Sequence, residues 1–551
     1  MADYVLGIDF GTLSGRALLV SAENGKEIAS YSMDYPHAVM DDVLLASGKK
    51  LPAQYALQDA DDYLTVLKTV IKEVLKLGDV SPEQVKGIGI DFTSCTILPI
   101  KKDGTPLSRL NEFKNQPHAY VKLWKHHAAQ KYADKMTELA KARKEQFLNY
   151  CGGTISSEMA IPKIWQVLEE APEIYNEADY FIEAGDWITL NLTGKLTRGY
   201  TFAVFKSNYI DGALYPSEDF LYECNTNLKT IFSNKLGGNI VRIGEPCGKI
   251  SKTAAKEFGL SENTVISAPI IDAHVAASGV GIRESGDMFG VIGTSACFMA
   301  ISDNKTKVSG ICGYAKDGIL PGFYGYEAGL CCMGDHFAYV ANNLTSPAYV
   351  KEAQERKISM IELLMEKASK LKAGECGLMA LNWWNGNRNI LMDSELTGVF
   401  VGMNLNTKPE DYMRALMEAT AFGTKNIIDN YLKHGIKINK FIATGGISKK
   451  NACLMQIFAD VLNMKISVSA SSQAPALGAA INGAVASGLY PDFNSAVKVM
   501  SSKFDAVYKP IKENTAVYNK LYKEYIKLHD YFGKNERSVM KNLIKIAEEQ
   551  K

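Results

Sequence analysis

The most constraining feature of this sequence is a segment near its start, residues 8–16 (Ile-Asp-Phe-Gly-Thr-Leu-Ser-Gly-Arg), which lies between two apolar runs. The apolar runs predict buried strands and the glycines between them predict a tight turn, so we expect a β-hairpin. Glycine lets the backbone approach an anion closely, and successive N–H groups in such a turn form an anion-binding nest. The alternative is an ordinary hairpin with an exposed aspartate. We favour a hairpin that binds phosphate.

The side chains of this hairpin suit that role. Hydroxyl and guanidinium groups donate hydrogen bonds to phosphate oxygens, and a carboxylate is the hard oxygen ligand that Mg²⁺ prefers. Asp9 is therefore predicted to hold Mg²⁺, largely through water, because Mg²⁺ gives up its waters reluctantly. The residues predicted to bind phosphate groups are Gly11, Thr12, Ser14 and Arg16.

Composition places the chain among ordinary globular proteins and excludes several functions. With 551 residues and 46% hydrophobic content, the chain exceeds the size at which a single core stops growing, so two domains are expected. Its 61 basic and 61 acidic residues balance, which argues against a nucleic-acid partner. The sequence contains no apolar run of the roughly 18 residues that a membrane span needs.

Cysteine and histidine usage gives no sign of a disulfide framework or a zinc site. The ten cysteines are scattered without a Cys-x-x-Cys pair, and the sequence does not begin with a secretory signal. This pattern is typical of reduced thiols in the cytoplasm, which is the expected location. The adjacent His126 and His127, on a predicted helix, would point to different faces, so we do not expect them to share a metal.

Apolar strands alternate with helical segments, which predicts an α/β fold. Two of the strands end in carboxylates, Val85–Ile90 in Asp91 and Ala268–Ile271 in Asp272. Open α/β sheets bind ligands at the carboxyl ends of their strands, so Asp91 and Asp272 are candidate ligand-binding residues. The alternative for Asp272 is a plain helix N-cap.

The second half of the chain repeats the pattern of the opening hairpin. A strand over Met288–Ile292 leads into a turn of glycine and hydroxyl residues, after which an apolar strand restarts at Cys297. This repetition indicates an internal duplication of architecture. The second predicted phosphate-binding turn consists of Gly293, Thr294 and Ser295.

Helical periodicity predicts helices over 61–77, 162–168, 186–192, 409–433, 451–462 and 474–488. Beyond Pro510, apolar residues recur every three or four positions. We expect this tail to be an amphipathic helix docked on the body; a membrane or partner helix is the alternative.

Taken in order, these motifs resemble the FGGY family of carbohydrate kinases. One such motif alone is weak, but several in this order over nearly the whole chain are specific. The resemblance implies an α/β protein with two actin/Hsp70-like (ribonuclease H-like) domains around a central nucleotide and sugar cleft, spanning 1–275 and 276–495, and a helical tail at 496–551. The motifs are Asp9-Phe-Gly-Thr12, Asp91-Phe-Thr93, Asp272-Ala-His274, Gly293-Thr-Ser295, Thr444-Gly-Gly446 and Ala476-Leu-Gly-Ala-Ala480.

Further segments resemble the branch of the family that phosphorylates the 2-ketopentose L-ribulose at O5 in arabinose use. Many other sugar kinases carry Trp-x-Asp-x-Arg where this chain has Trp124-Lys-His-His-Ala128. The resemblance implies ATP and Mg²⁺ as cofactors, a small sugar as substrate and a homodimer. Related kinases of xylulose, D-ribulose or ribitol are the alternative. The segments that carry this closer likeness are 11–16, 118–127, 152–158, 183–187, 326–329, 334–337, 382–388 and 472–475.

The same resemblance implies the remaining site residues. Asp272 would be the catalytic base for the acceptor hydroxyl and would bind the sugar together with Ser94, Lys206 and Glu327. A solvated charge is the alternative for Lys206 and Glu327. The family usually has alanine at the position of Ser94, so that contact is expected through the backbone. The adenosine end of the nucleotide is assigned to Gly445, Gly446 and Asn451, for which an ordinary turn is the alternative. Trp383 and Trp384 are expected in the core; stacking on a sugar or adenine face is the alternative.

Two further functions share this fold. ATP-driven chaperones and filaments lack an aspartate equivalent to Asp272, and the tail after residue 510 is too short for a peptide-binding domain. A catalytically silent sugar sensor is disfavoured by the presence of both Asp9 and Asp272.

Overall fold

The computed structural model describes residues 2–210, 215–534 and 539–550. By its internal contacts the chain divides into two units. Unit 1 contains the chain up to Arg283 together with Gly313–Gly325 and Gln473–Ser502. Unit 2 contains Glu284–Cys312, Tyr326–Ser472 and the chain from Lys503 onward. Strands and helices alternate in both, as predicted.

The strands are β1 Tyr4–Phe10, β2 Ser14–Ser21, β3 Glu27–Asp34, β4 Val43–Leu44, β5 Lys49–Lys50, β6 Leu57–Gln58, β7 Val85–Phe92, β8 Ile97–Ile100, β9 Val121–Lys122, β10 Tyr180–Glu183, β11 Thr197–Gly199, β12 Asn239–Val241, β13 Pro246–Lys249, β14 Val265–Ser267, β15 Ile270–Ile271, β16 Asp287–Ile292, β17 Ala296–Ser302, β18 Gly313–Lys316, β19 Tyr324–Leu330, β20 Met379–Leu381, β21 Val399–Val401, β22 Lys440–Thr444, β23 Ile466–Ser469 and β24 Phe504–Tyr508.

The α-helices are α1 Ala60–Gly78, α2 Gln130–Arg143, α3 Ala160–Glu170, α4 Pro172–Glu177, α5 Ala184–Thr193, α6 Tyr200–Lys206, α7 Glu218–Cys224, α8 Ile231–Asn234, α9 Lys252–Phe258, α10 Asp272–Gly279, α11 Gly334–Asn343, α12 Pro347–Arg356, α13 Met360–Ser369, α14 Pro409–Lys433, α15 Gly446–Lys450, α16 Ala452–Leu462, α17 Ala474–Ala486, α18 Phe493–Met500, α19 Lys512–Gly533 and α20 Val539–Glu549.

The main sheet of unit 1 has the strand order β3-β2-β1-β7-β14-β13, and β15 also pairs with β7. Strands β1 and β2 form the predicted antiparallel hairpin, whereas β1, β14 and β15 run parallel to β7. Helix α17 covers β1 and β7, and α1 covers β2 and β3. These helices lie on opposite faces of the sheet, because Gly7 faces α17 and Gly15, of opposite parity in the register, faces Val66 of α1.

Helix α17 approaches the sheet so closely that only glycine fits beneath it. A Cβ atom added to Gly7 would lie 1.7 Å from the Ala476 carbonyl oxygen, and one added to Gly89 would lie 1.7 Å from that of Ala479. The small alanine and glycine residues of α17 allow this close approach. Its place differs from our expectation, since α17 lies within the predicted second domain of 276–495 but packs in unit 1.

The main sheet of unit 2 has the order β19-β17-β16-β22-β23-β24, with β16, β22 and β23 parallel and β16 and β17 forming an antiparallel hairpin. Strands β16, β17 and β22 therefore repeat the arrangement of β1, β2 and β7, as the internal duplication predicts. Helix α19 packs against α14, α16 and β20, with Tyr518 and Tyr525 buried. The prediction of a docked amphipathic tail is confirmed, and the tail belongs to unit 2.

Other helix predictions were confirmed with small changes of bounds, and one was wrong. Helices α1, α3, α5, α14 and α16 lie where periodicity placed them. The segment of His126 and His127 is not part of a long helix; His127 begins a short 3₁₀ turn that precedes α2. His126 is buried, with its Nε2 atom 2.9 Å from Oε1 of Gln166.

Candidate active site

Three carboxylates meet at one end of the unit 1 sheet. Asp9 of β1 and Asp91 of β7 are directly paired in the parallel register. Ile270 of β15 pairs with Asp91 from the other side, and Asp272 follows one residue after that strand ends. The topology thus brings Asp9, Asp91 and Asp272 to the carboxyl ends of neighbouring strands, where open α/β sheets place their ligands.

The negative charge of this carboxylate cluster is poorly compensated within unit 1. Burial raises the pKa of Asp91 well above its ordinary value, and the charges of Asp9 and Asp272 raise it further. Burial also raises the pKa of Asp9, against the opposing effect of Arg16, whose Nε lies 3.3 Å from Oδ2 of Asp9. When Asp9 and Asp91 are both ionised, neither oxygen of Asp91 accepts a hydrogen bond from a donor among the described residues. When one of the two carboxyl groups is protonated, it can donate a hydrogen bond to the other.

The donor set fits Mg²⁺. Its carboxylate oxygens are hard ligands, and the two buried oxygens of Asp91 accept no hydrogen bond from the part of the chain that the structure describes. Within the described residues, no group of three or more His, Cys, Asp or Glu side chains is close enough to hold a metal ion directly. The carboxylates would therefore act partly through water, which is how Mg²⁺ is usually bound.

The turn between β1 and β2 is fixed by side chains from other elements. The Tyr35 hydroxyl donates to the Gly11 carbonyl at 3.0 Å, and the Gln58 amide donates to the Thr12 carbonyl at 2.9 Å. The Trp124 indole N–H donates to Oγ1 of Thr12 at 3.1 Å. Because the Thr12 hydroxyl accepts this bond, its own proton remains available to a ligand oxygen.

Three glycines of the predicted nucleotide site have open space beside them. A Cβ atom on Gly11 or Gly293 would meet one backbone oxygen, at 3.4 and 3.8 Å, and one on Gly446 would meet nothing within 4 Å. None of the three adopts a left-handed backbone, so the fold itself does not require glycine there. Gly445 differs, since its φ is +96° and a Cβ would lie 2.4 Å from a carbonyl oxygen of β16. The open glycines fit the close approach of an anion.

The second hairpin turn lies in unit 2 and is held by the start of α11. The Gly293 N–H donates to the Ser295 carbonyl at 2.9 Å, which closes the turn. The Met333 and Gly334 N–H groups donate to the carbonyls of Thr294 and Gly293 at 2.7 and 3.1 Å. Thr294 is exposed, and its neighbours are half-buried. The turn is therefore ordered and accessible, as a phosphate-binding turn must be.

Asn451 has a structural role within unit 2. Its side-chain oxygen accepts a hydrogen bond from the Leu454 N–H at 2.9 Å and caps α16, and its amide nitrogen lies 3.0 Å from the Met365 sulfur. The predicted contact of Asn451 with a nucleotide stays a prediction.

The sugar-site candidates are divided between the units. Ser94 lies in the turn after β7, Lys206 is the last residue of α6, and both belong to unit 1 with Asp272. Glu327 lies in β19 and belongs to unit 2. All four residues are half-buried, so Lys206 and Glu327 are not fully solvated charges.

Asp272 does not act as the cap of α10. Ile271 occupies the N-cap position and Asp272 is the first helical residue. Its Oδ1 atom accepts a hydrogen bond from the adjacent Ala273 N–H at 2.7 Å. The N-cap alternative is therefore disfavoured, and the half-buried carboxylate lies at the strand end beside Asp91.

Two charged residues beside the sugar candidates were missed by the sequence reasoning. Lys163 of α3 is fully buried and Glu183 at the end of β10 is nearly so. A signal for Lys163 existed, because a lysine within the apolar run of α3 must find partners in the interior. The expectation that Trp383 lies in the core is confirmed, and Trp384 packs edge-on against Phe400 at 5.3 Å.

Comparison with known proteins fits this arrangement. Residues 4–279 match the N-terminal domain of the FGGY family of carbohydrate kinases, and residues 288–487 match its C-terminal domain. The chain belongs to the FGGY family of carbohydrate kinases. It is therefore a phosphotransferase that uses ATP and a sugar.

FGGY kinases with closely similar sequences include two proteins named ribulokinase. That of Anoxybacillus flavithermus is 47% identical over 545 residues, covering 98% of this chain and 96% of the relative. That of Geobacillus thermodenitrificans is 47% identical over 546 residues, with the same coverage.

Solved structures confirm the two-domain α/β fold. A ligand-bound xylulose kinase from Lactobacillus acidophilus has a TM-score of 0.78 at 20% identity and covers 96% of this chain and 98% of its own. Plasmodium falciparum glycerol kinase with ADP has a TM-score of 0.73 at 19% identity, with 95% and 98% covered. Across the residues that the structure describes, no helix is long and apolar enough to span a membrane.

Proposed function

We propose that this FGGY kinase transfers the γ-phosphoryl group of ATP to O5 of L-ribulose, giving L-ribulose 5-phosphate and ADP, in the use of L-arabinose. The supporting observation is near-full-length identity of 41–47% to the proteins named ribulokinase. The carboxylate cluster of Asp9, Asp91 and Asp272 is consistent with this chemistry, because phosphoryl transfer needs charge neutralisation and a base near the acceptor hydroxyl.

Asp272 is the proposed base. As O5 forms its bond to phosphorus, the bond between phosphorus and the bridging oxygen of ATP breaks and ADP leaves with the electron pair. The O5 proton passes to the Asp272 carboxylate. A carboxylate of ordinary pKa near 4 is too weak to remove this proton early, so the transfer accompanies late bond formation, when the hydroxyl has become acidic.

The remaining residues bind and orient. Gly11, Thr12, Ser14 and Arg16 in one hairpin and Gly293, Thr294 and Ser295 in the other donate to phosphate oxygens. Asp9, with Asp91, would hold Mg²⁺, which when bound neutralises charge on the phosphates. The sugar hydroxyls are assigned to Lys206, Glu327 and the backbone at Ser94, and the adenosine end to Gly445, Gly446 and Asn451.

A coupled ADP-release assay tests the substrate. L-ribulose, D-ribulose, D- and L-xylulose, ribitol and glycerol are compared at equal concentration, with a no-sugar control that measures ATP hydrolysis. The proposal expects the highest kcat/KM with L-ribulose. A kinase of xylulose, D-ribulose or ribitol would instead give its highest value with that sugar and no sugar-dependent rate with L-ribulose.

We also propose that the enzyme works in the cytoplasm as a homodimer. Within the described residues no cysteine forms a disulfide, as expected of a reducing compartment. Analytical ultracentrifugation at micromolar concentration tests the dimer, which a monomer mass would contradict. Cell fractionation tests the location.

A further inference from the structure

The turn that carries Ser94, residues 93–96, is conformationally demanding. Cys95 adopts φ of +48°, in the left-handed region that a residue with a Cβ atom rarely occupies. The hydroxyl groups of Thr93 and Thr96 are hydrogen-bonded to each other at 2.8 Å across the turn. A strained turn of this kind persists only where its surroundings hold it in place.

Lys163 holds the turn from one side. Its side chain is fully buried, and its ammonium group donates to the Cys95 carbonyl at 2.7 Å and to the Leu123 carbonyl at 2.5 Å. A buried lysine is costly unless it is paired, so such a residue is retained where its contacts matter. Lys163 therefore ties the turn to Leu123, the residue that directly follows β9.

Glu183 holds the turn from the other side. Its Oε2 atom accepts a hydrogen bond from the Thr96 N–H at 3.0 Å, and the residue is 6% exposed. Its Oε1 atom has no hydrogen-bond partner among the described residues, and Glu183 lines a cavity of about 20 Å³, which is large enough for one water molecule but not for a sugar. Glu183 therefore acts on the turn and is too enclosed to touch a substrate.

Lys206 is close to the same assembly. Its charge acts on both Glu183 and Cys95, lowering the pKa of each against the larger effect of burial. Ala203 of α6 and Ser207, which directly follows that helix, line the same cavity as Glu183. Both sugar candidates of unit 1, Ser94 and Lys206, thus lie beside this buried pair.

We propose that Lys163 and Glu183 are positioning residues that hold the 93–96 turn in the conformation that binds the sugar, and so set sugar affinity without touching it. This inference rests on the proposed assignment of Ser94 and Lys206 to the sugar site. It assigns to the two buried residues a role that is separate from nucleotide binding and from proton transfer.

Variants of Glu183 test the proposal through the steady-state constants for both substrates. Glu183→Leu removes the acceptor of the Thr96 N–H, and Glu183→Asp withdraws it by the length of one methylene group. Both are expected to raise the KM for L-ribulose, by about tenfold for leucine, the equivalent of one lost hydrogen bond. The KM for ATP should stay unchanged and kcat within about threefold. Glu183→Gln restores an acceptor oxygen and should rescue the sugar KM. Lys163→Met should raise the sugar KM independently.

The outcomes separate this inference from the proposed function. If wild type shows no activity with L-ribulose, the proposed substrate is wrong, and the variants are then compared on the sugar that the enzyme does use. If wild type is active but folded Leu and Asp variants keep the sugar KM within about twofold, the inference is wrong. An equal rise in the KM for ATP would also overturn it, because that result indicates general loosening. Circular dichroism shows whether each variant is folded. If Glu183→Leu does not fold, the sugar KM of the milder Glu183→Asp variant decides the outcome.

Discussion

Asp9 and Asp91 stand side by side on two parallel strands, paired in register, and both are almost completely buried. Arg16 lies beside Asp9, yet neither oxygen of Asp91 has a donor among the described residues. A buried carboxylate without a hydrogen-bond donor is costly, so Asp91 reduces the stability of unit 1 in the absence of a ligand. Such a cost is typical of a site that binds a cation or a cation-bound phosphate.

Replacing Asp91 by asparagine should therefore stabilise the enzyme while impairing it. The substitution removes a buried carboxylate that the negative charges of Asp9 and Asp272 repel. The free energy of unfolding without ligands should therefore rise by about 1–2 kcal/mol. Activity should fall by about a hundredfold and require more Mg²⁺. Thermal unfolding and a Mg²⁺ titration of the rate measure both effects. An Asp91→Asn variant that is less stable and fully active would contradict this interpretation.

Asp272→Asn should abolish most turnover without abolishing sugar binding. The amide cannot accept the O5 proton, so kcat should fall by about 10²–10⁴-fold. The affinity for L-ribulose, measured by calorimetry without ATP, should change little. Asp219→Asn is the matched control, since Asp219 lies exposed in the first turn of α7. Retained turnover in Asp272→Asn would exclude this residue as the base.

Gly11→Ala and Gly293→Ala should fold normally and bind ATP poorly. The structure has room for the added methyl group at both positions, so the loss comes from the space that a phosphate would occupy. We expect the KM for ATP to rise about tenfold and Tm to shift by no more than about two degrees. Gly89→Ala is the contrasting variant, because its Cβ would overlap α17, and it should unfold at much lower temperature. Unchanged ATP kinetics in both hairpin variants would argue against phosphate binding there.

Glu183 should make stability depend on pH. Burial, with the charge of Asp186, raises the pKa of Glu183 to about 8 against the opposing charges of Lys163 and Lys206. The folded state therefore binds the Glu183 proton more tightly than the unfolded state does. The stability that this proton contributes is fully present below the ordinary carboxyl pKa of 4.5 and is lost as pH rises through about 8. Glu183→Gln lacks this titration, so its stability relative to wild type should increase between those values. Urea unfolding at a series of pH values measures the difference in stability between the variant and wild type. A difference that does not change with pH would show that the pKa of Glu183 is not raised.

The docked tail should depend on a buried ion pair in unit 2. Arg414 and Glu418, 2.8 Å apart, are both buried, and the Tyr518 hydroxyl of α19 accepts from Arg414 at 2.8 Å and donates to Glu418 at 3.1 Å. Arg414→Met leaves the buried Glu418 carboxylate without its cationic partner and should cost about 3–5 kcal/mol. Tyr518→Phe should cost about 1 kcal/mol. Chemical unfolding compares them, and equal costs would contradict the assignment of the charge pair as the dominant contact.

The local sequence pattern predicted those parts of the site that consist of residues close together in the sequence. Both hairpins and the strand-end positions of Asp91 and Asp272 follow from apolar runs that end in glycine or aspartate, and α14 was predicted at its observed bounds. The capping role of Asn451 was not predicted, because a cap depends on where the helix begins. The pairing of Asp9 with Asp91 requires a strand order that the intervening residues do not encode locally.

Long-range packing accounts for the other differences. Helix α17 belongs to unit 1 because its alanines and glycines leave room for Gly7 and Gly89, a match between segments far apart in the sequence. Lys163 and Glu183 likewise meet the 93–96 turn from separate elements. Neither the packing of α17 nor these contacts with the turn produce a periodic pattern in the sequence. The only sequence indication of the turn contacts is that Lys163 lies among apolar residues.

The position of α17 also determines when unit 1 can be completed during protein synthesis. The ribosome makes β1 and β7 early, but the helix that covers them emerges only after most of unit 2 has been translated. Until then the glycine-lined face of the central strands has no cover, and a fragment ending at Arg283 would keep that face permanently open. Production of the amino-terminal half by itself should therefore yield aggregating protein, and co-expression with a segment that contains 473–502 should restore solubility.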